Sequence, residues 1–437
     1  MVNVREITHH RAELIQARSE PLIVERYLWS NGLELIYQPD HQSPLLSYQT
    51  WFKVGSAHER RGATGIAHLF EHLMFKGTPR YPEGEFDRLL EEVGGEVNAA
   101  TWLDWTYYHV DLPSAHLERA VRLEADRLTQ LTLTPEAFES ERAVVMNERR
   151  ECVEDDPEGQ LDEVLWLHGM GEGHPYAHPT IGWMEDIAQL SIPLCQTFHQ
   201  HHYAVNQVTL VVSGDVDREL LLRLVDTHYG HLVAQPLPPE LRFPEDSKVS
   251  RPYHELELAI HAPKVQMGFR VPSVMDPLMV ALECLDELLF VGDSARLQQK
   301  LVYDEELVSD LYSATPKFRG DALYEIALDL LPQRDPLIVR DRVLEELSKI
   351  AAGEVDDAEL ERAKVSKELN GYLELQTAQQ RAQALGFWSV VSGGIDEMFN
   401  RHHRIASVSV EDLKRVAQLL LDPHRMITVV GHPKNES

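Results

Sequence analysis

Apolar and polar positions change their period along this chain, and the changes divide it into strands and helices. The runs LELIYQPD (33–40) and LLSYQTWFKVG (45–55) are rich in β-branched and aromatic residues and read as strands. Helical periodicity takes over at 65–76, 83–93 and 114–131. VTLVVSGD (208–215) reads as a further strand, followed by a helix from Arg218. The later part of the chain repeats the theme. VQMGFRVP (265–272) is strand-like, helices are expected at 277–290, 336–352 and 357–385, and MITVVGHP (426–433) echoes VTLVVSGD. Between the two parts, segment 233–252 carries five prolines and mixed charges and follows neither period. Proline at that density favours an extended linker. The pattern therefore divides the chain into an N-terminal domain (1–232), a linker (233–252) and a C-terminal domain (253–437), with a weak internal repeat. Strands and helices alternate without glycine-rich nucleotide turns. The expected fold class is α+β: two similar domains, each a mainly antiparallel sheet covered by helices.

Composition narrows the classes. A length of 437 residues supports two to three domains rather than one core. With 43% hydrophobic and 26% charged residues, and no apolar run long enough to span a bilayer, no membrane insertion is expected. The polar start does not read as a secretory signal. Cys152, Cys195 and Cys284 lie far apart with no C-x-x-C spacing, which argues against a disulfide scaffold or a cysteine-built metal site and suits a cytoplasmic setting. A formal charge of −30 argues against nucleic acid and acidic membrane surfaces as partners. It serves solubility, or an acidic cavity that attracts basic peptides.

The chemistry concentrates in His68-Leu69-Phe70-Glu71-His72. Four residues advance a helix by about 400°, so His68 and His72 share a face within about 40° and can converge on one ion. Glu71 sits beside them. Neutral imidazoles suit zinc, which in catalytic sites commonly takes three protein ligands and leaves one position open. Downstream, PEAFESERAVVMNERRECVEDD reads as a helix with proline at its start, and Glu141 and Glu148 fall two turns apart on one face. Glu148 follows His72 by 76 residues.

H-x-x-E-H, then Glu in an E-R-x-V-x-x-x-E context, resembles the M16 (inverzincin) metallopeptidases. GGEVNAATWLDWTYYHVDLP, GHPYAHPTIGW and GDSARLQQKLVYDEEL resemble further segments of that family, so the likeness covers most of the chain. The resemblance implies a clam-shell of two domains and one zinc ion held by His68, His72 and Glu148. It makes Glu71 the general base, gives Glu141 the task of orienting a ligand histidine, and places Asn98 and Ala99 on an edge strand that receives peptide substrate. The implied function is a zinc-dependent endopeptidase acting on peptides or unfolded segments.

One departure is informative. Single-chain members carry an Arg and a Tyr spaced R-x6-Y in the C-terminal half, and here Val302 and Ser309 stand at those places. Tyr303 and Tyr312 are near but in different register. In two-subunit members, one chain brings the metal site and the other the Arg/Tyr pair. A heterodimer with a homologous subunit carrying that pair is therefore expected. The alternative is a non-catalytic structural or peptide-binding subunit of the same family, in which zinc motifs are usually degraded. Of the other histidines, His199, His201 and His202 sit at an expected helix end, where they serve the helix dipole or the surface, or form a second metal site. Trp102, Trp105, Tyr107 and Tyr108 line a groove or pack within a strand pair.

Overall fold

The computed structural model describes residues 11–19, 22–244, 248–249 and 251–434. Part of the expected linker (245–247 and 250) and the polar start (1–10) lie outside the described residues. Twelve strands are described: β1 Ala12–Arg18, β2 Val24–Trp29, β3 Glu34–Pro39, β4 Leu45–Phe52, β5 Glu96–Thr101, β6 Thr106–Pro113, β7 Val208–Gly214, β8 Tyr253–Leu258, β9 Lys264–Val271, β10 Val308–Ala314, β11 Ala322–Leu330 and β12 Met426–Pro433. They form a seven-stranded sheet in the order β1-β2-β3-β7-β4-β6-β5 and a five-stranded sheet in the order β10-β11-β9-β12-β8. All pairings are antiparallel except β3 with β7 and β8 with β12. The fold class is thus α+β, with two mixed, mainly antiparallel sheets covered by helices.

Burial explains the strand order. All seven residues of the central strand β7 are buried, as a strand covered on both faces requires. β5, at the outer edge of the same sheet, is exposed or half-buried at every position but its last, Thr101. In the five-stranded sheet, Met267 and Phe269 of β9 and Tyr324 and Ile326 of β11 share one hydrophobic core with helix Leu278–Phe290. That helix is buried along nearly its whole length, its carboxylates included. Each acid has a partner: Glu283 meets Arg401, Asp286 accepts from the Tyr324 hydroxyl at 2.8 Å, and Glu287 accepts from Ser366 at 2.6 Å. Burial of such groups is tolerated only when they are paired.

The chain forms two compact units, and neither is contiguous. The first contains 1–145, 180–241 and 374–398; the second contains 146–179, 242–373 and 399–437. This differs from the division 1–232, 233–252 and 253–437 read from the sequence. Helix Pro157–Met170, from the first half, packs on β8, β9, β11 and β12. Helix Ala378–Ser392, from the second half, packs on β3, β4 and β7. The proline-rich segment marks a break in periodicity, but sheet coverage decides which unit a helix joins. The helix expected over 357–385 is correspondingly two, Asp357–Leu373 and Ala378–Ser392. The second begins at a capping box, in which the Thr377 hydroxyl accepts from Gln380 N at 3.1 Å and the Gln380 side chain accepts from Thr377 N at 3.0 Å.

Candidate metal centre

His68, Glu71 and His72 lie on the short helix Ile66–Leu73. Eight residues are too few to hold a helix by propensity alone. Its apolar face is fully buried: Leu69 and Phe70 are both 0% exposed. Its N-terminus is held by a carboxylate, since Glu59 accepts the N–H groups of Gly65 and Ala67, each at 2.8 Å. This satisfies two donors that a helix start leaves open and opposes the positive end of its dipole. Asp186 fixes the preceding turn by accepting from Gly62 N, Thr64 N and the Thr64 hydroxyl. Gly65 and Gly182 approach so closely that a Cβ on Gly182 would lie 2.4 Å from Gly65 N. Both have φ near +85°, at +85° and +86°, so glycine is needed twice over.

Glu148 comes from helix Pro135–Arg149, which runs on into a π-type turn, Arg150–Glu154. Thr134 starts this helix, its hydroxyl accepting from Ala137 N at 3.1 Å, and proline occupies the first helical position. The structure brings His68, His72 and Glu148 together. One donor atom from each lies within 4.8 Å of the others, and all three side chains are half-buried. The two imidazole centroids are 4.9 Å apart with planes at 71°, so the rings converge rather than stack. Glu141, seven residues before Glu148, is 7% exposed and lies 3.3 Å from His72 Nδ1. With Nδ1 so engaged, Nε2 of His72 is the nitrogen left for an ion. Lys76 Nζ lies 2.7 Å from Glu141 and 2.6 Å from Glu83. Partial burial works against the Lys76 charge, but these two carboxylates outweigh it and raise its pKa. Glu141 therefore keeps a cation beside it.

Two imidazoles and one carboxylate, convergent and without a thiolate, fit a catalytic zinc site. It is the one such group of histidine and carboxylate donors among the described residues. His199, His201 and His202 form no second one. They occupy the last turn of helix Ile192–His202, and burial decides the state of two of them. His199 stacks on Phe70 at 5.6 Å and on Tyr203 at 5.3 Å. Burial lowers the pKa of His199 to about 4, and burial with the neighbouring His201 does the same to His202. A dominant dipole contribution would have raised both.

Asn98 and Ala99 lie on β5, the edge strand beside helix Ile66–Leu73. Ala99 N donates to the Asn98 side-chain oxygen at 2.8 Å. Of the four aromatics nearby, Tyr108 is fully buried and Tyr107 stacks on Trp51 at 4.3 Å, while Trp102 remains 48% exposed. Val302 packs against the core of the second unit, and the Ser309 hydroxyl donates to Asp329 O at 3.2 Å. Neither supplies a cation or a phenol. Glu59, Asp186 and Lys76 were not singled out by the sequence reading. Their signals are faint: acids near a glycine-started helix, and one lysine past its end.

Residues 35–175 match the family model described as "Insulinase (Peptidase family M16)", and residues 194–366 match "Peptidase M16 inactive domain". The chain belongs to peptidase family M16. Zinc protease PqqE of Helicobacter pylori is 28% identical over 409 residues, covering 92% of this chain and 91% of the relative. The beta subunit of the mitochondrial-processing peptidase of Lentinula edodes is 27% identical over 411 residues, covering 90% and 86%. Among solved structures, a protease from Helicobacter pylori superposes with a TM-score of 0.90 at 27% identity, covering 94% of this chain and 100% of that one. A peptidase M16 inactive domain from Pseudomonas fluorescens shares the fold, with a TM-score of 0.85 at 17% identity and coverage of 94% and 98%. Both halves of the chain thus match models of this family, and the relatives similar to it include proteins named zinc proteases. No helix among the described residues is long and apolar enough to cross a membrane.

Proposed function

We propose that this chain is the metal-bearing subunit of a zinc-dependent endopeptidase acting on extended peptides or unfolded segments. The convergence of His68, His72 and Glu148, with Glu71 on the same helical turn, carries this reading. His68, His72 and Glu148 would hold one zinc ion. When bound, zinc supplies a Lewis acid that lowers the pKa of a water to about 7 and polarises a carbonyl. Glu71 is the general base: it takes the proton of the attacking water and returns it to the leaving amine. Glu141 fixes the tautomer and orientation of His72, and Lys76 holds Glu141 in place.

The peptide backbone is taken up at the open edge of β5 by strand addition, with Asn98 and Ala99 as contacts. The Asn98 side chain now occupies the Ala99 N–H, and a substrate carbonyl would displace it. Charge developing on the scissile carbonyl needs further donors. Val302 and Ser309 do not provide them, which supports a homologous partner subunit bringing an Arg/Tyr pair.

The decisive comparison is wild type against Glu71→Gln, both stripped and reloaded with zinc, on unstructured peptides. Glu71→Gln is expected to retain one zinc per chain and to lose hydrolysis by about 100-fold or more. Undiminished hydrolysis by Glu71→Gln would remove the assigned base. Full activity of the purified chain alone would remove the partner.

A further inference from the structure

The two faces of β5 differ, and one of them is ordered along its length. Cross-strand registration puts Glu96 opposite Asp111, Asn98 opposite His109 and Ala100 opposite Tyr107. Residues directly opposite share a face, so these three pairs form one strip along β5 and β6. Trp102, whose N–H continues the ladder to Trp105 O at 2.8 Å, extends it. Helix Ala378–Ser392 covers this side of the sheet over β4, where Gly386 meets the Trp51 indole. Beyond it, Glu96 and Asn98 are exposed, and Trp102 is 48% exposed.

The strip changes character from end to end. At one end the small Ala100 stands opposite Tyr107, with the 48% exposed Trp102 next along the same face, so two aromatic side chains border it. At the other end two carboxylates, Glu96 and Asp111, stand directly opposite each other. Like charges in that arrangement cost stability. His109 Nδ1, at 2.9 Å, relieves Asp111, whereas Glu96 has no ion-pair partner among the described residues. Tyr107 lies within electrostatic reach of both Asp111 and Glu71.

A peptide added to the edge of β5 would present alternate side chains to this strip. We propose that the strip selects the substrate: the side chain facing Ala100 is apolar or aromatic, and the one four residues away, facing Glu96 and Asp111, is Lys or Arg. The spacing follows from the strand itself, because Ala100 and Glu96 are four residues, or about 13 Å, apart. A spacing of three turns the second side chain to the opposite face. The inference rests on the proposed uptake of an extended peptide by β5.

The test uses the full-length zinc-loaded Glu71→Gln protein, which binds without turnover, and fluorescent unstructured peptides read by anisotropy. Peptides carry Phe and Lys, or Phe and Glu, at spacings of three and four and in both orders. At spacing four, the Lys peptide of one order is expected to bind about five- to tenfold more tightly than its Glu counterpart, a preference that fades with salt. Adding Glu96→Lys should invert the ratio. Equal binding of Lys and Glu peptides, or a preference indifferent to spacing, overturns the inference. If wild type cleaves such peptides without charge preference, the inference alone falls. If the chain binds none of the peptides, the proposed uptake by β5 falls with it.

Discussion

Glu141 and Glu148 share a face of one helix, yet they meet different neighbours. Glu148 joins two imidazoles; Glu141 lies against the far nitrogen of one of them and against Lys76. Glu141→Gln should therefore weaken zinc binding without abolishing it, by about 10- to 100-fold in a chelator competition. Glu148→Gln removes a donor outright and should weaken it further, so equal losses would contradict the assignment. The pairing of His68 with His72 was legible in the sequence because helical spacing aligns them, whereas Glu148 was expected beside them only through the family resemblance. The caps from Glu59 and Asp186 were not, since their distance from the helix start is set by folded turns. His199 and His202 show a similar gap between position and state. Unfolded histidines titrate near 6.5, whereas burial holds these two at about 4. Between those values the unfolded chain binds more protons, so stability falls as pH drops below about 6.5 and levels off only below about 4. Each should cost roughly 2 kcal/mol by pH 5. His199→Phe keeps the stack on Phe70 and Tyr203 while removing the titration. Its denaturant midpoint should fall less than that of wild type between pH 7 and pH 5; an equal fall would show that His199 is not buried neutral.

At the scale of elements, central strands and amphipathic helices were readable because burial imprints their period. Breaks inside a helical pattern were less so: 357–385 has helix-compatible composition throughout, and only the Thr377–Gln380 box separates Asp357–Leu373 from Ala378–Ser392. What the second helix packs on was invisible. Gly386 records it, because a Cβ there would lie 2.1 Å from Trp51 Nε1. Trp51 is 0% exposed, stacks on Tyr107, and its Nε1 donates to Gln49 at 2.9 Å, so it has no free direction in which to move. Intrinsic propensity says that Gly386→Ala should stabilise the helix by about 1 kcal/mol. Overpacking against a fixed indole opposes this by about 1–3 kcal/mol or more. We expect a net loss of about 2 kcal/mol in urea denaturation, with a change in Trp fluorescence. A gain in stability would mean that helix Ala378–Ser392 does not sit on Trp51.

The whole molecule adds a constraint that neither residues nor elements reveal. Helix Pro157–Met170 covers the five-stranded sheet and helix Ala378–Ser392 covers the seven-stranded one, so each unit is built from both halves of the chain. The linker is nonetheless accessible: Val233 and Leu237 are 76% and 66% exposed. A break there removes one covalent connection but no sheet, no helix and no core contact. Protein cut near Leu237 by limited proteolysis should therefore run as two bands on a denaturing gel and as one species on native size exclusion. The halves made separately lack part of their own cover. Fragment 1–232 has a seven-stranded sheet without Ala378–Ser392, which exposes the Trp51 face; fragment 253–437 has a five-stranded sheet without Pro157–Met170. Losing one covering helix removes several buried apolar side chains at about 1.5–3 kcal/mol each, which is comparable to the net stability of a domain. Each fragment alone should be poorly soluble or unfolded by circular dichroism, and co-expression should restore both. Separation of the nicked halves under native conditions, or independent cooperative unfolding of either fragment, would show that the chain is two contiguous domains after all.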